Sequence, residues 1–269
     1  MKCPHCQTEN ENNAKVCVNC GAQLAPETAQ TLKAATTAGF AIGKSGREAR
    51  LKEVVDPSAI ISDRAYNGII GAMLVWGLLI NYILCVKVGS YTNIFPNMSP
   101  LAFCICYVVV ALIGIAITAK AQNPVVSFIG FNVVVIPLGI VISTLVETYG
   151  GVSSTPVIQA FLYTIIISVA MVATAIVFPK FFEKIGPAII VILLALVLCE
   201  VILLIFGVQQ IWTSWIAAVL FSFFLGYDVY RSQQFPKTVK NAILSAMDMY
   251  MDIANLFIRL LEIFGKSDK

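Results

Sequence analysis

The sequence predicts an all-α membrane protein, a bundle of seven transmembrane helices preceded by a small cysteine-rich unit. Of its 269 residues 58% are hydrophobic and 12% are charged, whereas soluble proteins carry about 25% charged residues. The mean hydropathy is +0.84. Seven long apolar runs and two closely spaced cysteine pairs are the other two observations behind this prediction. The net charge of +3 is too small to indicate a nucleic-acid partner.

Residues 1–23 form the cysteine-rich unit. Cys3 and Cys6 make one C-x-x-C knuckle, and Cys17 and Cys20 make a second. Paired knuckles match tetrahedral thiolate ligation of Zn²⁺ better than they match disulfides. Because so short a segment has no core, the metal would supply its folding energy. The pattern resembles the zinc-ribbon leaders of many prokaryotic membrane proteins, which implies a structural Zn²⁺ in a reducing cytoplasm.

Residues 24–65 are predicted to be a flexible basic linker. They are rich in Ala, Thr, Lys and Gly and show no sustained apolar period. The Gly-Lys-Ser at 43–45 is not a phosphate-binding loop, because Ala38 stands where that motif needs glycine.

Residues 66–265 contain the predicted transmembrane helices. Each run approaches or exceeds the roughly 20 residues that cross about 30 Å of hydrocarbon. Proline and glycine separate the runs, and the connections are short, so consecutive helices should be antiparallel neighbours. The predicted helices are Tyr66–Val88, Leu101–Ala119, Val125–Val146, Val157–Phe178, Pro187–Val208, Ile211–Tyr230 and Val239–Phe264.

The basic residues predict the orientation in the bilayer. Eight of the eighteen lysines and arginines precede the first run, and six more lie in alternate connections. Since cytoplasmic loops carry an excess of Lys and Arg, the N-terminus is expected in the cytoplasm. This agrees with the zinc knuckles, which need reduced thiols. We therefore expect an integral protein of a prokaryotic plasma membrane.

A polar stripe runs along the last predicted helix. Its members recur every three or four residues, so they share one helical face, which must point at other helices or at water rather than at lipid. A carboxylate at the centre of a membrane helix costs roughly 3 kcal/mol to insert, so these acids are expected to have a structural or functional role. The stripe consists of Asn241, Ser245, Asp248, Asp252, Asn255, Arg259 and Glu262.

Asp228 near the end of the sixth helix faces this stripe across a short turn. Two close carboxylates cannot both ionise easily, so they would share a proton or hold a cation such as Ca²⁺. A hydrogen-bonded pair that fixes helix packing is the alternative. Counting from the turn at Phe235–Pro236 puts Asp228 nearer the level of Asp248 than of Asp252. Both remain candidate partners.

Glu200 interrupts the fifth predicted helix. It is a candidate for the lining of an outer vestibule, and a hydrogen bond to a neighbouring helix is the equal alternative.

At the last two helices the sequence resembles the Bax inhibitor-1 family. The resemblance implies a seven-helix bundle with the last helix at its centre. It also implies a pH-sensitive calcium leak channel with Asp228 and Asp252 as the sensor pair. The residues that carry it are Tyr227-Asp228, Met249-Tyr250-Met251-Asp252-Ile253-Ala254-Asn255-Leu256-Phe257 and Ile263-Phe264-Gly265.

Two departures from the family pattern concern charge. Asp248 stands where relatives usually have a small polar residue, and Glu262 stands where they commonly have arginine. Relatives also carry an arginine near the inner end of the second helix, for which Lys120 is the nearest cation here. Arg259 could replace the missing terminal arginine in part.

The sequence therefore predicts proton-modulated passage of a cation, expected to be Ca²⁺, with Asp248 lining the inner cavity. The main alternative is a regulatory membrane protein whose zinc ribbon docks a cytoplasmic partner. Intramembrane aspartyl proteases also use two aspartates, but they need G-x-G-D at the second one, and Tyr250-Met251 precede Asp252 here. We expect no enzymatic activity.

Overall fold

The structure is a computed structural model that describes residues 2–3, 6–11, 17–20, 50, 55–121, 123–205 and 211–267. The chain forms two compact units, Met1–Glu53 and Val54–Lys269. Most of the predicted linker, and the last residues of the predicted zinc ribbon, lie outside the described ranges.

In the N-terminal unit the backbone folds tightly around the first knuckle. The amide of Cys3 donates to the carbonyl of Thr8 at 3.0 Å, and the amide of Gln7 donates to the carbonyl of Cys3 at 2.9 Å. An antiparallel bridge joins Lys2 to Glu9. The knuckle is thus closed by backbone hydrogen bonds on both sides of Cys6.

The second unit is helical throughout its described length except for short connections. A one-turn 3₁₀ helix, Pro57–Ala59, precedes the bundle, and a second, Tyr91–Asn93, follows the first long helix. The long helices are α1 (Asp63–Lys87), α2 (Pro100–Lys120), α3 (Pro124–Thr148), α4 (Thr155–Val177), α5 (Pro179–Ile205), α6 (Ile211–Ser232) and α7 (Val239–Ser267).

Among the described residues, four helices are long and apolar enough to cross a membrane: α1, α3, α4 and the segment Trp212–Ser232 of α6. An all-α membrane architecture is therefore confirmed at this level. That all seven helices span the bilayer stays a prediction.

Three of the long helices, α1, α2 and α3, begin at a side-chain N-cap. The hydroxyl of Ser62 accepts from the amide of Ala65 at 3.2 Å, and Ser99 and Asn123 cap α2 and α3, each followed by a proline at the first helical position. Such caps satisfy amides that have no partner inside the helix.

The start of α5 differs from the predicted one. We predicted a helix from Pro187, whereas α5 begins at Pro179 and carries Pro187 inside it. Proline is favoured at the first turn of a helix, and Pro179 takes that position directly after α4. Gly186 lies within the helix, and the ring of Tyr227 on α6 packs where a side chain at this position would lie. That sequence pair is a packing site and does not break the helix.

Helix α7 packs against α1, α2, α3, α4 and α6. Its fully buried side chains are among the largest in the core and include Met247, Tyr250, Leu256 and Leu261. α7 is amphipathic in sequence, and the surrounding helices bury Asn241, Ser245 and Asp252 of the polar stripe while its other members are half-buried.

The hydroxyl of Tyr66 joins three helices at one end of the bundle, which we call the proximal end. Tyr66 is fully buried, and its hydroxyl lies 3.0 Å from the carbonyl of Ser232, 3.4 Å from the carbonyl of Asn241 and 3.1 Å from the hydroxyl of Ser245. It therefore ties the start of α1 to the end of α6 and the start of α7. We call the opposite end, where α1 and α3 end, distal.

The connection between α6 and α7 is held against α1 by further bonds. The amide of Ile61 donates to the carbonyl of Lys237 at 2.8 Å, and the Gln233 side-chain amide donates to the Asn67 side chain at 2.9 Å. The Lys237 ammonium lies 4.6 Å from the centre of the Tyr66 ring. Burial lowers the pKa of Lys237, while the charge of Asp63 opposes that shift.

A second buried bond crosses the core toward the distal end. The hydroxyl of Tyr250 donates to Oδ1 of Asn81 on α1 at 2.9 Å. Gly77 lets the Tyr250 ring lie against α1, because an added side-chain carbon there would sit 2.9 Å from the ring. Glycine is thus required at this close approach of α1 and α7.

Replacing Tyr66 by phenylalanine should destabilise the bundle. The substitution keeps the ring but leaves the carbonyls and the Ser245 hydroxyl without this partner, which should cost about 1–3 kcal/mol. The check is the thermal midpoint of the purified protein in detergent. Tyr163→Phe is the matched control, because Tyr163 is half exposed and its described contact is a ring contact with Phe264. Equal midpoints for Y66F and Y163F would contradict this role of the hydroxyl.

Candidate functional site

The acids predicted to act lie on α6 and α7, two helices that pack against each other. Asp228 on α6 is 7% exposed and Asp252 on α7 is 8% exposed. Asp248, one turn before Asp252, is half-buried. All three carboxylates are thus shielded from the surroundings to some degree, although water and lipid both border the bundle.

Two hydrogen-bonded contacts define how α6 and α7 align. At the proximal end the Tyr66 hydroxyl bridges Ser232 on α6 to Asn241 and Ser245 on α7. At the distal end the Ser214 hydroxyl donates to Oε2 of Glu262 at 2.8 Å. The number of residues between Ser232 and Ser214 on α6 closely matches the number between Asn241–Ser245 and Glu262 on α7. The two helices therefore run antiparallel in one register along their length.

This register places Asp228 and Asp248 at about the same level. Asp228 lies one turn from Ser232, and Asp248 lies one turn from Ser245, both in the distal direction. Asp252 lies a further turn along, about 6 Å at 1.5 Å per residue. Asp248 is accordingly the nearer acid to Asp228 along the helix axis. The pairing of Asp228 with Asp252 stays a prediction, and so does its role as a sensor.

The predicted supporting residues are spread over the bundle. Lys120 is exposed at the proximal end of α2, whereas Arg259 lies near the distal end of α7. The Asn255 side chain donates to the carbonyl of Met251 in its own helix at 2.8 Å. The side chain of Glu200 lies outside the described residues, so its predicted place in a vestibule is untested.

Arg259 is engaged by the acid that departs from the family pattern. Its guanidinium lies 3.3 Å from Oε2 of Glu262, the oxygen that also accepts from Ser214. Both side chains keep about a quarter of their surface exposed. Since a partly exposed pair is screened by solvent, this contact orients two side chains more than it stabilises the fold.

Tyr66, Ser214 and Asn81 were not identified as site residues from the sequence. Each lies on another helix and gives a hydrogen-bond partner to the polar stripe or to Tyr250. The sequence signal that could have identified them is a polar residue inside an apolar run, because such residues form hydrogen bonds with other helices in a bilayer. Which partner each would find depends on packing and could not be read from spacing.

The four N-terminal cysteines come together as predicted. Their sulfur atoms all lie within 4.8 Å of one another. The sulfurs of Cys3 and Cys20 are 3.6 Å apart, and those of Cys6 and Cys17 are 3.5 Å apart. Tetrahedral zinc with Zn–S bonds of about 2.3 Å needs sulfurs roughly 3.8 Å apart. The geometry and the soft donor set both fit structural zinc.

Neighbouring side chains support the thiolate form of this cluster. Hydrogen bonds from Thr8, the hydroxyl above all, lower the pKa of Cys6 to about 6. A hydrogen bond from the amide of Cys20 is the main cause that lowers the pKa of Cys17. Because zinc binds thiolate and not thiol, both shifts favour loading at neutral pH.

Asn10 links the two knuckles and was not identified from the sequence. Its Nδ2 donates to the carbonyl of Thr8 at 2.8 Å and lies 3.5 Å from the sulfur of Cys17. Its Oδ1 accepts from the amide of Val18 at 2.9 Å. Such outer-shell partners orient metal ligands.

Comparison with known proteins agrees with both parts of this description. Residues 65–269 match the family model described as inhibitor of apoptosis-promoting Bax1, and residues 2–24 match the model of a zinc-ribbon domain. An uncharacterized protein of Campylobacter jejuni is 28% identical over 195 residues, which cover 67% of this chain and 81% of the relative. The resemblances inferred from sequence motifs are thus confirmed.

Substituting Cys6 by serine should abolish zinc loading. Removing one of four thiolates leaves an incomplete tetrahedron whose binding must also fold the unit. Elemental analysis of the purified chain should fall from about one zinc per chain to near zero. Cys85→Ser is the control, since Cys85 lies in α1, outside the cluster. Unchanged zinc content in C6S would show that the cluster does not hold the metal.

Proposed function

The chain belongs to the family of inhibitors of apoptosis-promoting Bax1, and from this premise we propose that it conducts Ca²⁺ passively across its membrane under the control of protons on its buried aspartates. The observation that carries the proposal is the presence of Asp228 and Asp252, each less than a tenth exposed, on two helices that pack together inside the bundle. Buried carboxylates in a membrane are costly, which is why they mark ion pathways and proton relays.

The chemistry of the three acids suits a hard cation. Ca²⁺ takes carboxylate and carbonyl oxygens as ligands. Asp228 supplies a carboxylate from α6, and Asp248 and Asp252 supply two more from adjacent turns of α7. Asp248, the least buried of the three, would line the proximal cavity through which a cation approaches.

Protons act on the same oxygens. Two close carboxylates that share a proton are joined by a hydrogen bond. Binding a second proton, or releasing the shared one, changes the charge of the pair. Acidification neutralises the pair, which weakens the contact between α6 and α7 and shifts a closed–open equilibrium. Arg259 and Glu262 are the charged members of the stripe on the distal side of Asp252.

We further propose that the zinc ribbon and the proximal end of the bundle lie in the cytoplasm of a prokaryotic cell. The excess of basic residues before α1 and in alternate connections supports this orientation. The thiolate cluster supports it independently, because thiols stay reduced there. The similar protein from Campylobacter jejuni is bacterial.

The aspartates are proposed to bind and gate rather than to catalyse. The stripe that contains Asp252 lacks the glycines that intramembrane aspartyl proteases place before their second aspartate. Cleavage of a model transmembrane substrate that a transition-state analogue blocks would revive an enzymatic role.

Neutralising the aspartates should remove the pH dependence of Ca²⁺ flux. Asp228→Asn and Asp252→Asn keep the size of each side chain but can no longer bind or release a proton. The measurement is Ca²⁺ entry into dye-loaded liposomes between about pH 6 and pH 8, where a tuned pair would titrate. Asp248→Asn should reduce the flux at every pH if Asp248 lines the cavity.

Glu147→Gln is the matched control, since Glu147 is exposed at the distal end of α3. Its pH profile should equal that of the wild type. Identical pH profiles of Ca²⁺ flux for wild type, D228N and D252N would exclude the gating role. Absence of Ca²⁺ flux from every sample would exclude the channel function.

A second candidate function is docking of a cytoplasmic protein through the zinc ribbon. It is favoured by the division of the chain into two compact units, Met1–Glu53 and Val54–Lys269, because a separate unit can carry a binding role of its own. Such a module could serve a regulatory protein that transports nothing, or it could control a channel.

Deleting residues 1–23 should separate the two functions. If the ribbon docks a partner, the truncated protein loses that partner in affinity purification from its native membrane, while Ca²⁺ flux in liposomes persists. The control is the full-length C6S variant, whose unfolded ribbon should lose the same partner. A partner that both variants retain would exclude the ribbon as the docking element.

A further inference from the structure

An apolar groove opens on the side of the bundle between α1 and α4. It encloses about 470 Å³, with α7 as its floor and the end of α3 as its inner wall. Leu78 and Phe161 belong to its two sides, and Ala254 and Phe257 belong to its floor. No Asp, Glu, Lys, Arg or His is among its lining residues, all of which lie in the described ranges.

The groove runs along the bundle for about the thickness of one leaflet. On α4 its lining extends from Val157, near the distal end, to Val169. Twelve residues of helix rise about 18 Å, and half of a hydrocarbon core measures about 15 Å. Both side walls, α1 and α4, are long and apolar enough to cross the membrane, so the open side of the groove faces acyl chains.

Two polar groups in the groove have hydrogen-bonding capacity left over. Asn81 is 6% exposed and lines the groove. Its Oδ1 accepts from Tyr250, and within the described part of the chain no acceptor is found for its Nδ2. The buried hydroxyl of Ser168 likewise has no hydrogen-bond partner among described residues. An amide donor without an acceptor in an apolar groove costs free energy, so an occupant that supplies a carbonyl is favoured.

We propose that this groove is a binding site for one acyl chain of a phospholipid from the distal leaflet, whose ester carbonyl accepts a hydrogen bond from Asn81. The chain fills the apolar length of the groove, and Ser168 lies toward its deep end. Water is a poor occupant, because an apolar cavity offers it too few polar partners. A free fatty acid is disfavoured, because its carboxylate would meet no cationic side chain here.

The depth of Asn81 suits a carbonyl at the edge of the hydrocarbon. Asn81 lies six residues, about 9 Å, before the end of α1. α1 has 25 residues, about 38 Å, and so exceeds the hydrocarbon core by a few ångströms at each end. The amide is therefore a few ångströms below the level of the ester groups, within reach of a lipid that settles into the groove.

The site is separate from the aspartates and does not depend on the proposed channel. Asp228, Asp248 and Asp252 are not part of its lining, whereas Ile253 and Ala254 are. A lipid site could therefore exist whether or not Ca²⁺ passes.

The test is photocrosslinking of the full chain in nanodiscs that contain a phosphatidylglycerol with a diazirine midway along one acyl chain. Mass spectrometry should locate label on groove residues of α1 and α4, several-fold above the label on lipid-facing residues of the same helices outside the groove. Ser168→Phe fills the groove and should lower the groove label several-fold. Ala170→Phe is the matched control, since Ala170 is exposed on α4 and does not line the groove.

A second comparison tests the hydrogen bond. Asn81→Ala removes the amide and should lower the groove label, whereas Tyr250→Phe removes only the partner of Oδ1 and should leave the label near the wild-type level. Thermal midpoints identify variants that fail to fold. If N81A does not fold, the hydrogen bond is tested with the wild-type protein alone. Unlabelled ester lipid should displace the probe more effectively than its ether analogue, which lacks the carbonyl.

Three results would overturn the proposal. Uniform labelling around the bundle would mean ordinary annular lipid. Equal displacement by ester and ether lipids would remove the role of Asn81. Displacement by free fatty acid alone would assign the groove to a different ligand.

Discussion

The burial of one polar helix in an apolar surrounding is the constraint on which the rest of the structure depends. Inside the hydrocarbon core of a bilayer a polar group needs a hydrogen-bond partner, and hydrocarbon tails offer none. α7 carries a polar stripe along its length, so other helices must surround it. The side chains that satisfy it or its neighbours lie on helices far away in sequence: Tyr66 and Asn81 on α1 and Ser214 on α6. These three contacts also fix how the helices align.

Local signals in the sequence predicted most of the fold because membrane helices are determined locally. Apolar length, together with the proline and glycine between the runs, located the helices, and C-x-x-C spacing located the four thiols that converge. The predicted start of α5 was wrong because a Gly-Pro pair does not interrupt every helix. Gly186-Pro187 lies inside α5. Pro179 already supplies a helix start, and the Tyr227 ring occupies the space beside Gly186. That packing involves a residue forty positions away, which no local pattern reveals.

The candidate site shows the same division between local and long-range information. Helical spacing predicted that Asp248 and Asp252 share a face, but the level of Asp228 depends on how residues 233–238 turn. The turn is held by Tyr66, Ile61 and Asn67 of the segment that enters α1. Once those bonds align α6 with α7, Asp248 stands level with Asp228, and Asp252 lies a turn beyond. Sequence motif and axial level therefore favour different partners for Asp228.

α7 presents different chemistry on adjacent faces. Asp248, Asp252 and Asn255 lie on the stripe, while Ile253, Ala254 and Phe257 form the floor of the groove between α1 and α4. Because both sets belong to one helix, a rotation of α7 that moves Asp252 must also move the floor of the groove. A lipid that binds one arrangement better than the other would shift the balance between them, and the reciprocal effect follows from linkage. Tyr250 connects α7 to the groove, since its hydroxyl donates to Asn81, one of the residues that line the groove.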